Sequence, residues 1–288
     1  MRRKMEIQAP AKINLSLQVV GKRADGYHDL RTLMCCVGLY DTLELSLGGG
    51  RNLIVCSQAG VPCDQSNLAL KAGLRFNQIL TNQTHIDPPS ICVHLTKRIP
   101  VGAGMGGGSS DAAAVLNALN HHHGYPLSRS RLLALALELG ADVPFFIDGR
   151  PALARGVGER MEPCPSLPSW KVVVVYPGFG ISTAEVFKNL KLGLTRCEKP
   201  LTYLPFKYGK FDIERHLFND LEQVVANQFP IIQEIKKGLL NQGAKGASMT
   251  GSGSAVFGLF ADAATAERAA AVLARRDQWR VYATELLA

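Results

Sequence analysis

Ile13, Leu15, Leu17 and Val19 alternate with Lys12, Asn14, Ser16 and Gln18, the period-2 signature of a strand with one buried and one polar face. Lys12 and Asn14 therefore point the same way. A turn-rich segment, Gly21-Lys22-Arg23-Ala24-Asp25-Gly26-Tyr27-His28, follows as a long loop, and a second alternation at Leu43, Leu45 and Leu47 beside Thr42, Glu44 and Ser46 predicts another strand. Ser66 opens a helical pattern carried by Leu68, Leu70, Leu74, Ile79 and Leu80, and Ile91, Val93 and Leu95 form a short strand running toward Lys97. Next come a glycine-serine loop over 100–111 and the helix former Ala112-Ala113-Ala114-Val115-Leu116. A helix from Ser128, apolar at Leu132, Leu133, Leu135, Ala136 and Leu139, ends at Gly140 and leaves Asp142 just past its end, ahead of Val143-Pro144-Phe145-Phe146-Ile147. Pro163, Pro165 and Pro168 then mark a domain boundary, giving domains over 1–165 and 166–288. Beyond it the pattern predicts a strand over 172–176, a short helix over 183–190, and helices over 214–228 and 230–241. A strand, a glycine turn, a strand, a helix and a strand follow to the end. The class is mixed α and β in two domains.

Composition narrows this picture. With 288 residues, 47% hydrophobic and 19% charged, the chain is large enough for a sizeable core and is not disordered. No apolar run approaches the roughly 18 residues that cross a bilayer, and the basic Met1-Arg2-Arg3-Lys4-Met5-Glu6 start lacks a secretory apolar stretch, so a soluble protein with a cytoplasmic address is expected. Seven cysteines (Cys35, Cys36, Cys56, Cys63, Cys92, Cys164, Cys197) without a Cys-x-x-Cys pair or zinc spacing fit reduced thiols. A net charge of +8 fits either a nucleic-acid surface or anionic small substrates, and composition does not choose between them. The scattered basic residues, without clustered Lys/Arg or interleaved aromatics, argue against nucleic acid. His121-His122-His123 cannot converge on one ion, because consecutive helical side chains project about 100° apart.

The loop Pro100-Val101-Gly102-Ala103-Gly104-Met105-Gly106-Gly107-Gly108-Ser109-Ser110-Asp111 carries the chemistry. Small residues ahead of a helix let successive backbone N–H groups face one point, where the helix dipole adds about half a positive charge. The result is an anion site, most usefully for phosphate, although such a run also reads as a flexible connector. Gly102-x-Gly104-x-x-Gly107 matches the dinucleotide fingerprint formally, but no acidic residue ends a strand about 20 residues on, and no Walker lysine follows the glycines. The protein-kinase signature set is absent too. Ser109, Ser110 and Asp111 all read as helix caps, while hydroxyls beside a phosphate-sized cradle also suit triphosphate and Mg²⁺.

Three motifs together resemble the GHMP kinase superfamily of small-molecule kinases. They are Pro10-Ala11-Lys12-Ile13-Asn14-Leu15, the loop just described, and Met249-Thr250-Gly251-Ser252-Gly253-Ser254-Ala255-Val256-Phe257. Within it, Arg23-Ala24-Asp25-Gly26-Tyr27-His28, Gly140-Ala141-Asp142-Val143-Pro144-Phe145-Phe146 and Phe218-Asn219-Asp220-Leu221-Glu222 are similar to the family acting on 4-diphosphocytidyl-2-C-methyl-D-erythritol. The resemblance implies an α+β fold, with an N-terminal domain like ribosomal protein S5 domain 2 and a C-terminal ferredoxin-like domain. It implies transfer of the γ-phosphate of ATP, with Mg²⁺, to the tertiary 2-hydroxyl of the methylerythritol unit, a step of the non-mevalonate isoprenoid pathway.

The resemblance places the active-site pair on Lys12 and Asp142, and the ATP phosphate loop on Pro100, Val101, Gly102, Ala103, Gly104, Met105, Gly106, Gly107, Gly108, Ser109 and Ser110. Asn67 and Lys97 fall near the adenosine, and Tyr27, His28 and Phe187 on the cytidine. Asn14, Thr183 and the third motif, Gly251, Ser252 and Gly253, complete the substrate and phosphate ends, while the Mg²⁺ ligands are not marked. Tyr27 with Phe187 would sandwich the base and His28 would read its edge. Taken singly, Lys12 reads as a strand lysine on a solvated face and Asp142 as a helix-end residue. The expected partner is a small molecule bearing a cytidine diphosphate group, with neither nucleic acid nor membrane. Two other readings stand beside it: a kinase of homoserine, mevalonate or a sugar, and a basic RNA-binding protein of S5-like topology.

Overall fold

A computed structural model of the chain describes residues 4–164, 167–190 and 211–287. Cys197 and the boundary expected at 165/166 lie outside them. The chain forms two compact units, one of Met1–Ala11, Tyr40–Val101 and Gly106–Gly149, the other of Lys12–Leu39, Gly102–Met105 and Arg150–Ala288. Strands β1 (Lys4–Lys22) and β2 (His28–Leu47) supply residues to both.

In the first unit, residues 42–47 of β2 pair antiparallel with β4 (Ile91–Thr96), which pairs parallel with β3 (Leu53–Cys56). Helix α1 (Leu68–Thr84) starts at Asn67 rather than Ser66. The Ser66 hydroxyl donates to Asp64 at 2.6 Å, which leaves the Asn67 side chain to accept the Ala69 N–H at 3.0 Å as the cap. Helix α2 (Gly107–His122) begins inside the glycine run, α3 (Arg129–Leu139) is capped by Ser128 as its spacing predicts, and α4 (Val143–Asp148) is a short helix entered at Asp142. Phe76, Ile91, Val93, Leu116, Leu119 and Leu135 are buried at the core of this unit.

In the second unit, β5 (Ala152–Gly156) and β6 (Arg160–Pro163) form a hairpin against residues 30–34 of β2. The remainder follows the order β7 (Lys171–Tyr176), α5 (Thr183–Lys188), α6 (Ile213–His216), β8 (Phe218–Asn219), α7 (Glu222–Gln228), α8 (Ile231–Asn241), β9 (Gly246–Met249), β10 (Val256–Phe260), α9 (Ala263–Leu273) and β11 (Arg280–Leu287). Strands β9, β10, β7 and β11 lie side by side in that order, each antiparallel to the next. This is the 4-1-3-2 arrangement of a ferredoxin-like βαββαβ unit. Ile232, Ile235 and Leu239 of α8 and Ala266, Ala269 and Leu273 of α9 bury one face of each helix with Val173, Val175, Val256 and Phe260 of the sheet.

Two expectations change. The strand at Lys12 has no solvated face, because residues 11–19 are all buried, with Lys12 at 4% and Asn14 at 2% exposure. Its polar side chains are satisfied internally, as burial requires. The helix expected over 214–228 is broken by β8, whose Phe218 and Asn219 pair in parallel with Ser16 and Leu17 of β1. Hydrogen bonds to distant backbone outweigh local helical pattern there. Cys35 and Cys36 pack in β2, and burial pushes both thiols up, Cys36 to about 12, which keeps them protonated and inert. Among the described residues no helix is long and apolar enough to cross a membrane.

Candidate functional site

Helix α2 gives the first unit its candidate anion site. Its cap, Gly106, has φ 69° and no side-chain hydrogen bond, so the first N–H groups of a 16-residue helix are left for another acceptor. The Ser110 hydroxyl is buried without a hydrogen-bond partner, as is Asp111 Oδ1. A buried hydroxyl without a partner is costly unless a bound group completes it, so Ser110 fits a phosphate or a hydrated Mg²⁺ at this helix start.

Beside it lies a buried charge cluster that only half appears in the sequence. Lys97 Nζ donates to Asp41 and, at 2.9 Å, to Asp111, while Asp41 Oδ1 accepts the N–H groups of Arg98 (2.6 Å) and Ile99 (2.9 Å). Burial works against the Lys97 charge, but the two carboxylates outweigh it and hold its pKa above the ordinary value. Burial pushes Asp111 up to about 7, Lys97 opposing and Asp41 reinforcing the shift. With Asp111 protonated, one ammonium balances one carboxylate and the cluster is neutral. A methyl on Gly107 would lie 3.0 Å from Lys97 Nζ, so the ammonium is packed against the first residue of α2. Lys97 thus braces the end of the glycine-serine loop. Asn67, expected near the adenosine, caps α1 and donates to Pro62 O at 2.8 Å. Asp142 heads α4 in this unit without a side-chain cap bond.

The second unit holds the other half of the predicted set. Lys12 Nζ donates to Asn14 Oδ1 at 2.6 Å, as their shared face predicts, and Asn14 Nδ2 donates to Thr32 Oγ1 at 2.7 Å. Thr250 Oγ1 accepts the Asn14 N–H at 3.1 Å, and the Lys12 N–H donates to Met105 O at 3.0 Å. The glycine-loop segment Gly102–Met105 and the third motif are packed backbone to backbone here. Gly104 has φ +76°, and a Cβ on it would lie 2.2 Å from Thr250 O; a Cβ on Gly251 would lie 2.8 Å from Gly104 O. Only glycine permits that approach. Ser252 Oγ and Thr183 Oγ1 share a hydrogen bond at 2.7 Å.

His28 and Phe187 stack with ring centroids 5.0 Å apart and planes 26° from parallel. The ring on Phe187 is thus that of His28, while Tyr27 stands 65% exposed. Burial, with Lys22 nearby, lowers the His28 pKa and favours the neutral imidazole, which offers one donor and one acceptor. Thr32, Asp41 and Thr250 join the predicted residues through these bonds, and Asn219 joins them by donating from Nδ2 to Gly251 O at 2.8 Å. Thr250 and Asn219 lie inside quoted motifs, whereas Asp41 and Thr32 carry no sequence signal, since only the fold sets them beside Lys97 and Asn14.

Two family models match the chain, GHMP kinases N terminal domain over residues 67–150 and GHMP kinases C terminal over 211–277. The 4-diphosphocytidyl-2-C-methyl-D-erythritol kinase of Geobacter sp. (strain M21) is 43% identical over 279 residues, covering 96% of this chain and 97% of the relative. That of Syntrophotalea carbinolica is 45% identical over 278 residues, covering 96% and 97%. A crystal structure of 4-(cytidine 5'-diphospho)-2C-methyl-D-erythritol kinase matches with a TM-score of 0.80 at 37% identity, covering 98% of this chain and 99% of that one. Homoserine kinase from Cytophaga hutchinsonii matches with a TM-score of 0.70 at 20% identity, covering 98% and 95%, and shares the fold. The α+β architecture, the six motifs in order and this full-length similarity agree, and the chain belongs to the 4-diphosphocytidyl-2-C-methyl-D-erythritol kinase family of the GHMP kinases.

Proposed function

We propose that the protein transfers the γ-phosphoryl group of ATP to the 2-hydroxyl of 4-diphosphocytidyl-2-C-methyl-D-erythritol, and so serves the non-mevalonate route to isoprenoids. The observation that carries this acceptor over homoserine is the 43% identity across 96% of the chain to a relative of that name, against 20% for a homoserine kinase of the same fold. The neutral His28 imidazole, held on Phe187, offers the edge of a cytidine one donor and one acceptor, and the exposed Tyr27 offers a ring to its face. The RNA-binding reading leaves the phosphate loop and the buried Lys12 without a task.

Phosphoryl transfer passes through a loose transition state, so positioning and charge neutralisation supply most of the rate. The bond from the γ-phosphorus to the bridging oxygen breaks, the substrate oxygen binds phosphorus, and the hydroxyl proton leaves. Residues 100–110 hold the phosphates, Lys12 neutralises the transferred group, and Asp142 accepts the proton or orients the hydroxyl. Ser110 is the residue that would hold Mg²⁺, which would offset the negative charge of the phosphates. Asn14, Thr183 and the third motif, Gly251, Ser252 and Gly253, serve the acceptor and phosphate ends, while Tyr27, His28 and Phe187 serve the cytidine. Asn67 and Lys97 reach the adenosine end through the segments they brace. The protein works in the cytoplasm.

Proton-coupled ³¹P NMR of the product tests the site of transfer. The carbon bearing the 2-hydroxyl carries no hydrogen, so the new phosphomonoester is expected as a singlet. A doublet or triplet, from a phosphate on a carbon that bears hydrogen, would contradict the assignment.

A further inference from the structure

Phe218-Asn219-Asp220-Leu221-Glu222 is family-like in sequence, yet the proposed chemistry gives it no task. In the structure this segment grips the third glycine motif. Asn219 is 8% exposed. Its Nδ2 donates to Met249 O and to Gly251 O, both at 2.8 Å, while its Oδ1 accepts the Leu221 N–H at 2.9 Å. Both amide hydrogens are thus committed to the two carbonyls that flank Thr250. Glu222 Oε2 accepts the Met249 N–H at 2.9 Å and the Ser248 hydroxyl at 3.2 Å, and its other oxygen pairs with Lys236. Met249 is held at its N–H by one residue of the segment and at its carbonyl by another.

The same segment is tied to the strand that carries Lys12. Phe218 and Asn219 pair with Ser16 and Leu17, the Asp220 N–H donates to Leu17 O at 2.9 Å, and Asp220 Oδ2 accepts the Val19 N–H at 2.9 Å. From the gripped backbone the contacts continue inward. Thr250 Oγ1 accepts the Asn14 N–H at 3.1 Å and lies 3.3 Å from Asn14 Oδ1 and 3.3 Å from Gly104 O. Asn14 Oδ1 in turn takes the Lys12 ammonium at 2.6 Å.

We propose that Asn219 is a positioning residue for phosphoryl transfer, its carboxamide fixing the Met249–Gly251 backbone so that Thr250 holds Asn14, and through it the Lys12 ammonium, in register with Gly104 of the phosphate loop. This rests on the reading of Lys12 and the third motif as the phosphate end of the site. No other side chain of this size supplies two N–H donors and one acceptor at one point. Aspartate has the same shape but would turn an oxygen toward two carbonyl oxygens. A displaced positioning group costs turnover rather than ground-state binding.

The test compares wild type with Asn219→Asp, using Mg·ATP and 4-diphosphocytidyl-2-C-methyl-D-erythritol. The variant is expected to lose about 30-fold or more in kcat, with KM for each substrate within about 3-fold of wild type. Turnover with ATP relative to ATPγS, a ratio in which the folded fraction cancels, is expected to change by about 5-fold or more, as it does when groups at the transferred phosphate move. An unchanged ratio with kcat per folded molecule near wild type, or a loss carried by KM, overturns the proposal. Where Asn219→Asp does not fold, Thr250→Val decides, because it keeps the Asn219 grip and removes the hydroxyl that passes it on. It must show the same signature, with Thr250→Ser restoring turnover, and a wild-type-like Thr250→Val overturns the positioning role. Absence of wild-type turnover counts against the proposed acceptor instead, which keeps the two readings separable.

Discussion

Lys12 and Asn14 carry the account at the scale of single residues. Their shared face is legible in the alternation of β1, but their burial is not, since a polar face on a strand ordinarily means water. Four polar side chains in that face, Lys12, Asn14, Ser16 and Gln18, are all buried, and such a row marks a site rather than a surface. Asp41 is the opposite case: between Tyr40 and Thr42 it reads as an ordinary strand acid, and only the fold brings Lys97, 56 residues later, to its carboxylate. Lys97 accordingly serves as a brace within its own unit, a task its sequence neighbours do not announce. For Asp142, replacement by Asn is expected to lower kcat by about two orders of magnitude with ATP affinity within about 2-fold. Single-turnover kinetics with an ATP-binding titration checks this, and an active Asn variant removes Asp142 from the mechanism. Tyr27→Ala is expected to raise KM for the cytidine substrate about tenfold, the ~1.4 kcal/mol typical of one lost stacking partner, while KM for ATP stays unchanged. Equal effects on both would remove Tyr27 from the cytidine site.

At the scale of elements, periodicity locates most of the chain. The strand ending before Lys97, the helix capped by Ser128 and the strand, turn, strand, helix and strand at the C-terminus are where their patterns put them. It fails over 214–228, where β8 interrupts a helical pattern because Asn219 and Asp220 spend their side chains on backbone groups far away in sequence. Helix α2 starts within the glycines, with Gly106 at φ 69° as its cap and no capping side chain on the donors of its first turn. The charge cluster at that start has a pH signature. The folded-state pKa of Asp111, about 7, lies above its ordinary 3.8, so the folded chain binds that proton more tightly than the unfolded one. The stability this contributes is fully present below 3.8 and is lost as pH rises through about 7. Asp111→Asn removes the dependence. The difference in Tm between variant and wild type should therefore shift in favour of the variant as pH rises across that window, and a difference constant with pH would contradict the buried proton.

For the whole molecule, the α+β class is legible from element order, the interleaving of the two units along the chain is not, and the ferredoxin-like topology of β7, β9, β10 and β11 agrees with the resemblance. The split of the phosphate loop is not legible, because Gly102–Met105 packs with the second unit while Gly106 onward belongs to the first, a partition that depends on tertiary contacts. The net charge of +8 suits two polyanionic substrates, ATP and a diphosphate ester. The choice of acceptor is the central claim, since homoserine and mevalonate kinases share this fold at 20% identity or less. The most direct measurement is ADP release from Mg·ATP by the purified protein, with 4-diphosphocytidyl-2-C-methyl-D-erythritol, homoserine, mevalonate and galactose offered separately as acceptors. Turnover with the first alone is the predicted result; turnover with another acceptor, or with none in folded protein that binds ATP, would contradict it.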